Sequence, residues 1–168
     1  MYLDAFGEYG EVVASLLDDL RTGDELSLVA EEEDAIVGHA MFTPSLLDAP
    51  RRLVAVEVLS PVGVVHRRQK QGVGSALVRR GLELLVERGV PVVFVEGPPD
   101  YYSRFGFGPG AEQGFRKPSL RIPDEAFQAL LLPAYEPWMM GTLVYSGTFW
   151  RHDVVGLREA GDLGSVHT

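Results

Sequence analysis

The first third of the chain changes from a helical to a strand-like spacing of apolar positions. Across Tyr2–Leu20 the apolar residues recur near every 3.6 positions, which predicts a helix that is broken near Gly7–Gly10. Alternating apolar residues then predict a hairpin of two strands, over Leu26–Ala30 and Ala35–Pro44. The four acidic residues at its tip, Glu31–Asp34, are interpreted as a solvated turn rather than a metal site, because their spacing matches no calcium loop.

The middle of the chain has the strongest pattern. After a predicted loop over residues 45–52, a strand is expected over Leu53–Val65, an amphipathic helix over Gly72–Arg88 and a buried parallel strand over Val90–Val95. These three elements form one βαβ unit with a right-handed crossover. Pro61 lies inside the first strand and cannot donate a ladder hydrogen bond. We therefore expect the neighbouring strand to part there, so that a ligand can enter between the two backbones.

The last third has a weaker pattern and predicts short elements. A helix is expected to begin at Pro98 with Asp100 as its N-cap residue. Later elements are predicted as a strand near Phe115–Ile122, a helix over Pro123–Leu131, a strand over Gly141–Phe149 and a polar tail.

Composition narrows the class of protein. A length of 168 residues without repeats predicts a single domain over residues 1–168. A net charge of −9, with 15 basic against 24 acidic residues, argues against nucleic acid as a partner. The chain has no cysteine, which excludes disulfides, thiolate zinc sites and an acyl-cysteine intermediate. No signal peptide or membrane span is evident, so we expect a cytoplasmic protein that binds no membrane. We also expect no bound metal.

The segment between the predicted strand and helix has the character of an anion site. It ends in Gly72 and Gly74, and glycines let backbone N–H groups face a ligand at the start of a helix. Positive charge lies directly before them, at His66, Arg67, Arg68 and Lys70. An ordinary turn with solvated basic residues is the simpler alternative. The segment contains neither the Gly-Lys-(Ser/Thr) of a Walker loop nor a Gly-x-Gly-x-x-Gly fingerprint.

Two motifs resemble those of the GCN5-related N-acetyltransferases. Gln69–Gly74 is similar to their (Gln/Arg)-x-x-Gly-x-(Gly/Ala) signature, and Tyr102–Phe107 to their Tyr-x-x-x-Gly-Phe element. The longer string Pro99–Phe107 looks like the YhbS-like subgroup. The resemblance, which spans about residues 26 to 107, implies an α/β fold. Its central sheet would be mixed and mostly antiparallel, with one parallel βαβ unit of splayed strands and flanking helices. The sequence shows no counterpart of the family's first edge strand, so that edge would be exposed or covered, or the true start would lie upstream.

The resemblance also implies an activity. It predicts transfer of an acetyl group from acetyl-coenzyme A to a primary amine, on a small molecule or a peptide, by direct attack in a ternary complex and without a metal. The alternative is a non-catalytic acyl-coenzyme A-binding or regulatory module. A third, weaker possibility is an interaction protein that uses Leu130–Trp150, a segment that also predicts a homodimer surface.

Site residues follow from the matching positions. The pantetheine arm would contact the backbone of Val62, Gly63 and Val64. The pyrophosphate would be held by Arg67, Arg68, Gln69, Lys70, Gln71, Gly72, Val73, Gly74 and Ser75. Tyr102 matches the general acid for the thiolate, with Tyr101 ranked second because it should point elsewhere on a helix. Glu57 is the predicted base, or else a buried structural glutamate, and Glu96 is the other candidate.

Overall fold

A computed structural model describes residues 2–7, 10–21 and 23–158. The predicted polar tail lies largely outside them, from residue 159 on. The described helices are α1 (Tyr2–Phe6), α2 (Gly10–Leu20), α3 (Val73–Glu87), α4 (Pro99–Tyr102) and α5 (Gly147–Arg151). The strands are β1 (Leu26–Glu32), β2 (Ala35–Asp48), β3 (Leu53–Val64), β4 (Val92–Glu96), β5 (Gly108–Pro109), β6 (Phe115–Arg116), β7 (Phe127–Leu131) and β8 (Gly141–Val144).

All eight described strands belong to one mixed sheet. Its order is β5-β7-β4-β3-β2-β8-β6, and β1 pairs with β2 beside β8. The long strand β2 organises this half of the sheet, since one of its edges pairs with β3 while the other pairs first with β1 and then with β8. The expected α/β fold with a mostly antiparallel sheet is confirmed. β1 is an edge strand, because among the described strands it pairs only with β2.

The strands β3 and β4 splay apart. They pair in parallel only at two positions, Glu57 with Val93 and Val58 with Phe94. Beyond these, β3 continues along β2 as far as Val64, while β4 follows β7 on its other side. The parting expected around Pro61 is therefore present, and it opens the sheet next to the start of α3.

Two apolar layers cover the two faces of the sheet. One contains α2, α5 and the alternate β3 residues Val54, Val56 and Val58. The other packs α3 against Phe42 and Leu59, through the helix face predicted from the sequence. Gly81 of α3 is buried where a Cβ would overlap the Phe42 ring, which explains a glycine in mid-helix. None of the described helices is long and apolar enough to cross a bilayer.

Two predicted elements were wrong because sheet pairing overrides local preference. Residues 45–48 were predicted as a loop after Pro44, but they extend β2 and pair with β3, and residues 46–48 also pair with β8. Phe127–Leu131 was predicted as helix, but it forms β7 and supplies the antiparallel partner of β4. Without that partner, the buried edge of β4 would leave its backbone groups unsatisfied.

Three boundaries were also wrong. The strand predicted from Gly141 ends at Val144, because Ser146 accepts a hydrogen bond from the Thr148 N–H and caps α5. The strand predicted near Phe115–Ile122 covers only β6, and Pro118 follows two residues later. Pro98, not Asp100, occupies the N-cap position of α4. The break near Gly7–Gly10 is confirmed in that α1 and α2 are separate helices.

We expect Gly81→Ala to destabilise the protein by about 1–3 kcal/mol, because the added methyl group overpacks the Phe42 contact. Alanine's higher helix propensity, worth about 1 kcal/mol, offsets only part of this cost. Urea unfolding measures the difference. Glu87→Ala on the exposed face of α3 is the control and should change stability by less than about 0.5 kcal/mol. An unfolding midpoint for Gly81→Ala equal to that of wild type would contradict the packing described.

Candidate active site

A cleft of about 610 Å³ lies where β3 leaves β4. It is lined by the end of β3, the turn that follows, the first residues of α3 and the short helix α4: Ala5, Val62, Gly63, Val64, Arg68, Gln69, Lys70, Gly72, Val73, Gly74, Ser75, Tyr101, Tyr102 and Arg104. The edge of β3 that faces the cleft has no strand partner beyond Val58 among the described residues. A strand-like ligand therefore finds unpaired backbone groups along this edge.

The start of α3 supplies the cleft with hydrogen-bond donors. Gly72 precedes the helix in a left-handed conformation, with φ of +88°, and no side chain caps the helix. The first intrahelical bond there is donated by the Ala76 N–H to the Gly72 carbonyl oxygen. The N–H groups of Val73, Gly74 and Ser75 precede it and are left for a ligand. Together with the helix dipole they favour an anion.

Side chains of the turn itself hold this geometry. The Gln69 amide donates to the Val64 carbonyl oxygen over 3.0 Å, and the Gln71 amide donates to the Arg67 carbonyl oxygen over 3.0 Å. An Arg68 guanidinium nitrogen donates to the Gln71 side-chain oxygen over 2.8 Å. The two glutamines thus brace the loop, so that its backbone donors are already in position before a ligand arrives.

Positive charge lines the cleft but is partly balanced from the hairpin tip. Arg68 lies 2.6 Å from the Glu32 carboxylate, and the more exposed Arg67 lies 3.8 Å from the same oxygen. Lys70 is exposed and adopts φ of +60°. Arg104 lies over the Tyr101 ring at 4.5 Å from its centroid, a cation–π contact that places its charge beside the cleft.

Both tyrosines of α4 face the cleft. Their rings are perpendicular, with centroids 5.0 Å apart, and Tyr102 also meets Phe107 edge to face. Tyr101 was expected to point elsewhere, which is wrong. The helix α4 is only one turn long, and the Tyr101 hydroxyl reaches Gly74. Burial raises the pKa of the Tyr102 phenol well above its ordinary value, so it keeps its proton at neutral pH. Neither hydroxyl has a hydrogen-bond partner among the described residues.

The helix α1 closes one side of the cleft. Its Phe6 ring lies against Gly63, where a Cβ would come within 2.7 Å of the ring. The Asp4 carboxylate accepts a hydrogen bond from the His66 N–H over 2.5 Å. Ala5, which lines the cleft, was missed by the sequence analysis because nothing in its local pattern connects it with a site sixty residues away.

Glu57 lies apart from the cleft. It shares the β3 face of Leu59, which packs towards α3, and it is not among the residues that line the cleft. The side chain is buried, one carboxylate oxygen has no partner in the described structure, and burial raises its pKa to about 7 against a smaller opposing effect of Arg88.

Glu96 lies instead at a second, smaller cavity of about 150 Å³. This cavity opens on the α2 and α5 side of the same parting, and its walls are Val58, Ser60, Glu96, Tyr145, Phe149 and Val154. The Glu96 carboxylate accepts hydrogen bonds from the Tyr145 hydroxyl over 3.3 Å and from the Gly156 N–H over 3.1 Å. Burial raises the pKa of Glu96, although these two bonds and Arg121 oppose the rise.

The structure therefore brings most of the predicted site residues together. All the residues predicted to bind the coenzyme line the cleft except Arg67 and Gln71, which support it from outside. Tyr102 joins them, whereas Glu57 does not. Of the C-terminal residues predicted as an interaction surface, Met139 and Phe149 belong to the core, while Met140 and Trp150 are exposed. No cluster of His, Asp and Glu that could hold a metal ion occurs within residues 2–7, 10–21 and 23–158.

Comparisons with known proteins agree with this arrangement. A family model described as an acetyltransferase (GNAT) domain matches residues 7–110. The uncharacterized N-acetyltransferase YjhQ of Escherichia coli (strain K12) is 38% identical over 121 residues. That match covers 71% of this chain and 66% of YjhQ, slightly less than two thirds of the relative's length.

Solved structures that are similar to this chain include two proteins crystallised with a coenzyme. YhbS, a GNAT family N-acetyltransferase from Escherichia coli in complex with coenzyme A, has a TM-score of 0.77 and 29% identity, over 89% of this chain and 83% of YhbS. A GNAT family acetyltransferase from Brucella melitensis in complex with acetyl-coenzyme A has a TM-score of 0.59 and 32% identity, over 83% and 77% of the two chains. Both similarities extend well beyond the two sequence motifs.

We expect Glu57→Gln to stabilise the protein above neutral pH. Because the folded-state pKa of about 7 exceeds the ordinary value of 4.5, folding takes up a proton between these values and wild-type stability falls as the pH rises through them. At pH 8 the variant should be more stable by about 1–3 kcal/mol, and at pH 4 the difference should vanish. Urea unfolding at both pH values measures this, with exposed Glu87→Gln as control. An equal difference at both pH values would contradict a buried, ionising Glu57.

Proposed function

This chain belongs to the GNAT acetyltransferase family, and from that premise we propose that it is an acetyl-coenzyme A-dependent N-acetyltransferase that acts on a primary amine. The observation that carries the proposal is the uncapped start of α3, which faces a cleft whose other wall is the unpaired edge of β3. Similar proteins were crystallised with coenzyme A or acetyl-coenzyme A, which supports the same ligand here.

The residues of the cleft fit this coenzyme part by part. The N–H groups of residues 73–75, with Arg68 and Lys70 beside them, would bind the pyrophosphate. The open edge of β3 at residues 62–64 would hydrogen bond to the amide groups of the pantetheine arm. Arg104, stacked on Tyr101, offers a further positive charge for a phosphate. Acetyl-coenzyme A would supply the activated acetyl thioester.

In the proposed reaction Tyr102 is the general acid. The amine nitrogen forms the new bond to the acetyl carbon directly in a ternary complex, and the carbon–sulfur bond breaks with its electron pair on sulfur. Tyr102 gives its proton to that sulfur and is reprotonated by the proton that the nitrogen loses. Its buried phenol is protonated at neutral pH, and its hydroxyl has no competing partner among the described residues. Glu57 was the predicted base, but Glu96 is better placed because it lines a cavity of the same parting.

The other predictions about the protein remain part of this proposal. We propose that residues 1–168 act as one domain, in the cytoplasm, on a small-molecule or peptide amine. The alternative is a non-catalytic acyl-coenzyme A-binding module, which would bind the coenzyme in the same cleft but would acetylate no amine. A homodimer through the exposed Met140 and Trp150 stays a prediction that the sedimentation mass of the protein can test.

We expect micromolar binding of acetyl-coenzyme A in a calorimetric titration. Changing Gly72 to Ala and Gly74 to Val together should weaken it by at least about tenfold, or about 1.4 kcal/mol. The reason is that the first change strains a left-handed residue, and the second fills the space between the α3 donors and Tyr101.

Gly89→Ala is the matched control for this titration. Gly89 also has a left-handed conformation, with φ of +75°, and open space around its Cβ position, but it follows the far end of α3. This variant should lose stability and keep its affinity for acetyl-coenzyme A. If the wild-type protein fails to bind the coenzyme at all, the proposed function is wrong.

We expect Tyr102→Phe to lower turnover by at least about tenfold while the affinity for acetyl-coenzyme A stays within about twofold. The phenylalanine keeps the ring packed on Phe107 and removes only the proton donor. Steady-state kinetics with an amine screen, together with the calorimetric titration, separates these two effects.

Tyr101→Phe is the control, because it removes a hydroxyl from the same cleft without touching the assigned acid. Unchanged turnover in Tyr102→Phe would exclude Tyr102 as the acid. Coenzyme binding without turnover in wild type and variant alike would favour the non-catalytic module.

A further inference from the structure

The cavity beside Glu96 and the coenzyme cleft are lined by nearby residues of the same strand, β3. Ser60 lines the smaller cavity and Val62 lines the cleft, with only Pro61 between them. They lie where β3 has left β4, since the last paired position is Val58 with Phe94. A molecule in the small cavity would therefore lie across the opened strands from a ligand that follows β3 in the cleft.

The walls of the small cavity suit a cation on an apolar stem. Tyr145 and Phe149 present two rings with centroids 5.2 Å apart, while Val58 and Val154 add apolar contact. The Glu96 carboxylate provides the charge. Aromatic faces next to a carboxylate attract an ammonium group, and apolar walls favour its hydrocarbon stem.

The carboxylate is held in place from two sides. Tyr145 donates to one oxygen of Glu96 and the Gly156 N–H to the other. The C-terminal segment Val154–Leu157 is itself bound to Arg121. The Arg121 guanidinium donates to the Val155 carbonyl oxygen over 2.9 Å, and the Arg121 carbonyl oxygen accepts from the Leu157 N–H over 3.0 Å. Glu96 is thus fixed by parts of the chain that are remote from it in sequence, which is typical of a prepared site.

Resting on the proposed function, we propose that this cavity is the acceptor site and that it selects a compact primary amine with a short apolar stem. Glu96 binds the ammonium group and takes one proton from it, which it later releases to solvent, so that the neutral amine attacks the thioester. The second proton, which the nitrogen loses after the new bond forms, returns to Tyr102, and Tyr145 positions Glu96. A cavity of about 150 Å³ can hold a molecule about the size of benzene. A branched stem exceeds this space, and a second ammonium group would find no carboxylate among the walls other than Glu96.

The walls of this acceptor site come from two parts of the chain. The family model ends at residue 110, whereas Tyr145, Phe149 and Val154 come later. Only Val58, Ser60 and Glu96 of the cavity walls fall within the matched segment. The proposed acceptor site therefore combines the ammonium-binding Glu96 of the matched segment with aromatic and apolar walls from the C-terminal third.

The test is calorimetric binding of n-butylamine to the full-length protein, without and with coenzyme A. Wild type should bind n-butylamine more tightly than it binds n-butanol, which lacks the charge, or n-butyltrimethylammonium, whose head is too large to approach Glu96. Glu96→Gln should weaken the binding of n-butylamine at least tenfold while coenzyme A affinity stays within twofold. Tyr145→Phe keeps the ring but frees Glu96, and should raise KM for the amine more than it lowers kcat.

Glu112→Gln, an exposed carboxylate away from the cavity, is the control and should change neither affinity. Unfolding curves of each variant identify a change that merely unfolds the protein. Val154→Phe narrows the cavity without removing a polar group, and it should also weaken n-butylamine binding. Equal n-butylamine affinity in wild type, Glu96→Gln and Val154→Phe would overturn the assignment, as would spermidine binding as tightly as n-butylamine.

Different results would contradict coenzyme binding in the cleft and amine binding in the small cavity. Loss of coenzyme binding in wild type would remove the proposed function, whereas amine binding to the cavity is measured without coenzyme and would still be observed. Coenzyme binding and turnover of amines that Glu96→Gln leaves untouched would instead overturn the acceptor site alone.

Discussion

The site depends on the early parting of β3 from β4. Two paired positions are enough to fix the parallel register, and beyond Val58 each strand relies on its outer neighbour. β3 stays ordered because β2 pairs with it as far as Val64, and β4 because β7 pairs with it as far as Glu96. An unpaired strand edge is normally a liability, since its backbone groups lack partners. Here the same edge forms a wall of the cleft, and the energetic cost of leaving it open is offset by the ladders on either side.

Local signals explain why much of this could be predicted from the sequence. The βαβ unit, the helix face towards the sheet and the glycines before α3 all lie within one stretch of about forty residues. Pro61 marks the parting because proline removes a ladder donor. The cleft is accordingly the part of the molecule where sequence and structure agree best, and its residues come largely from one continuous segment and the short helix after β4.

The two wrongly predicted elements have a common physical cause in long-range pairing. The run from Phe127 to Leu131 has no alternation of its own, and it becomes a strand because the free edge of β4 needs a partner. Glu57 was favoured as a base from its place on the strand that borders the cleft. In the structure the alternation along β3 places it opposite to Val58, on the face of Leu59 that packs towards α3. The contact between Tyr145 and Glu96 joins residues 49 apart, and no local pattern predicts it.

This division between local and remote residues has a functional consequence. The coenzyme side is built mostly from short-range elements, a turn, a helix start and a strand edge, with α1 and Glu32 as contacts from elsewhere in the chain. On the other side, Glu96 is held by hydrogen bonds from Tyr145 and Gly156 of the C-terminal part. A shift of that part would move the Glu96 carboxylate without moving the start of α3. The proposed acceptor cavity therefore depends on the last third of the chain, whereas the described residues that line the cleft include none from that part.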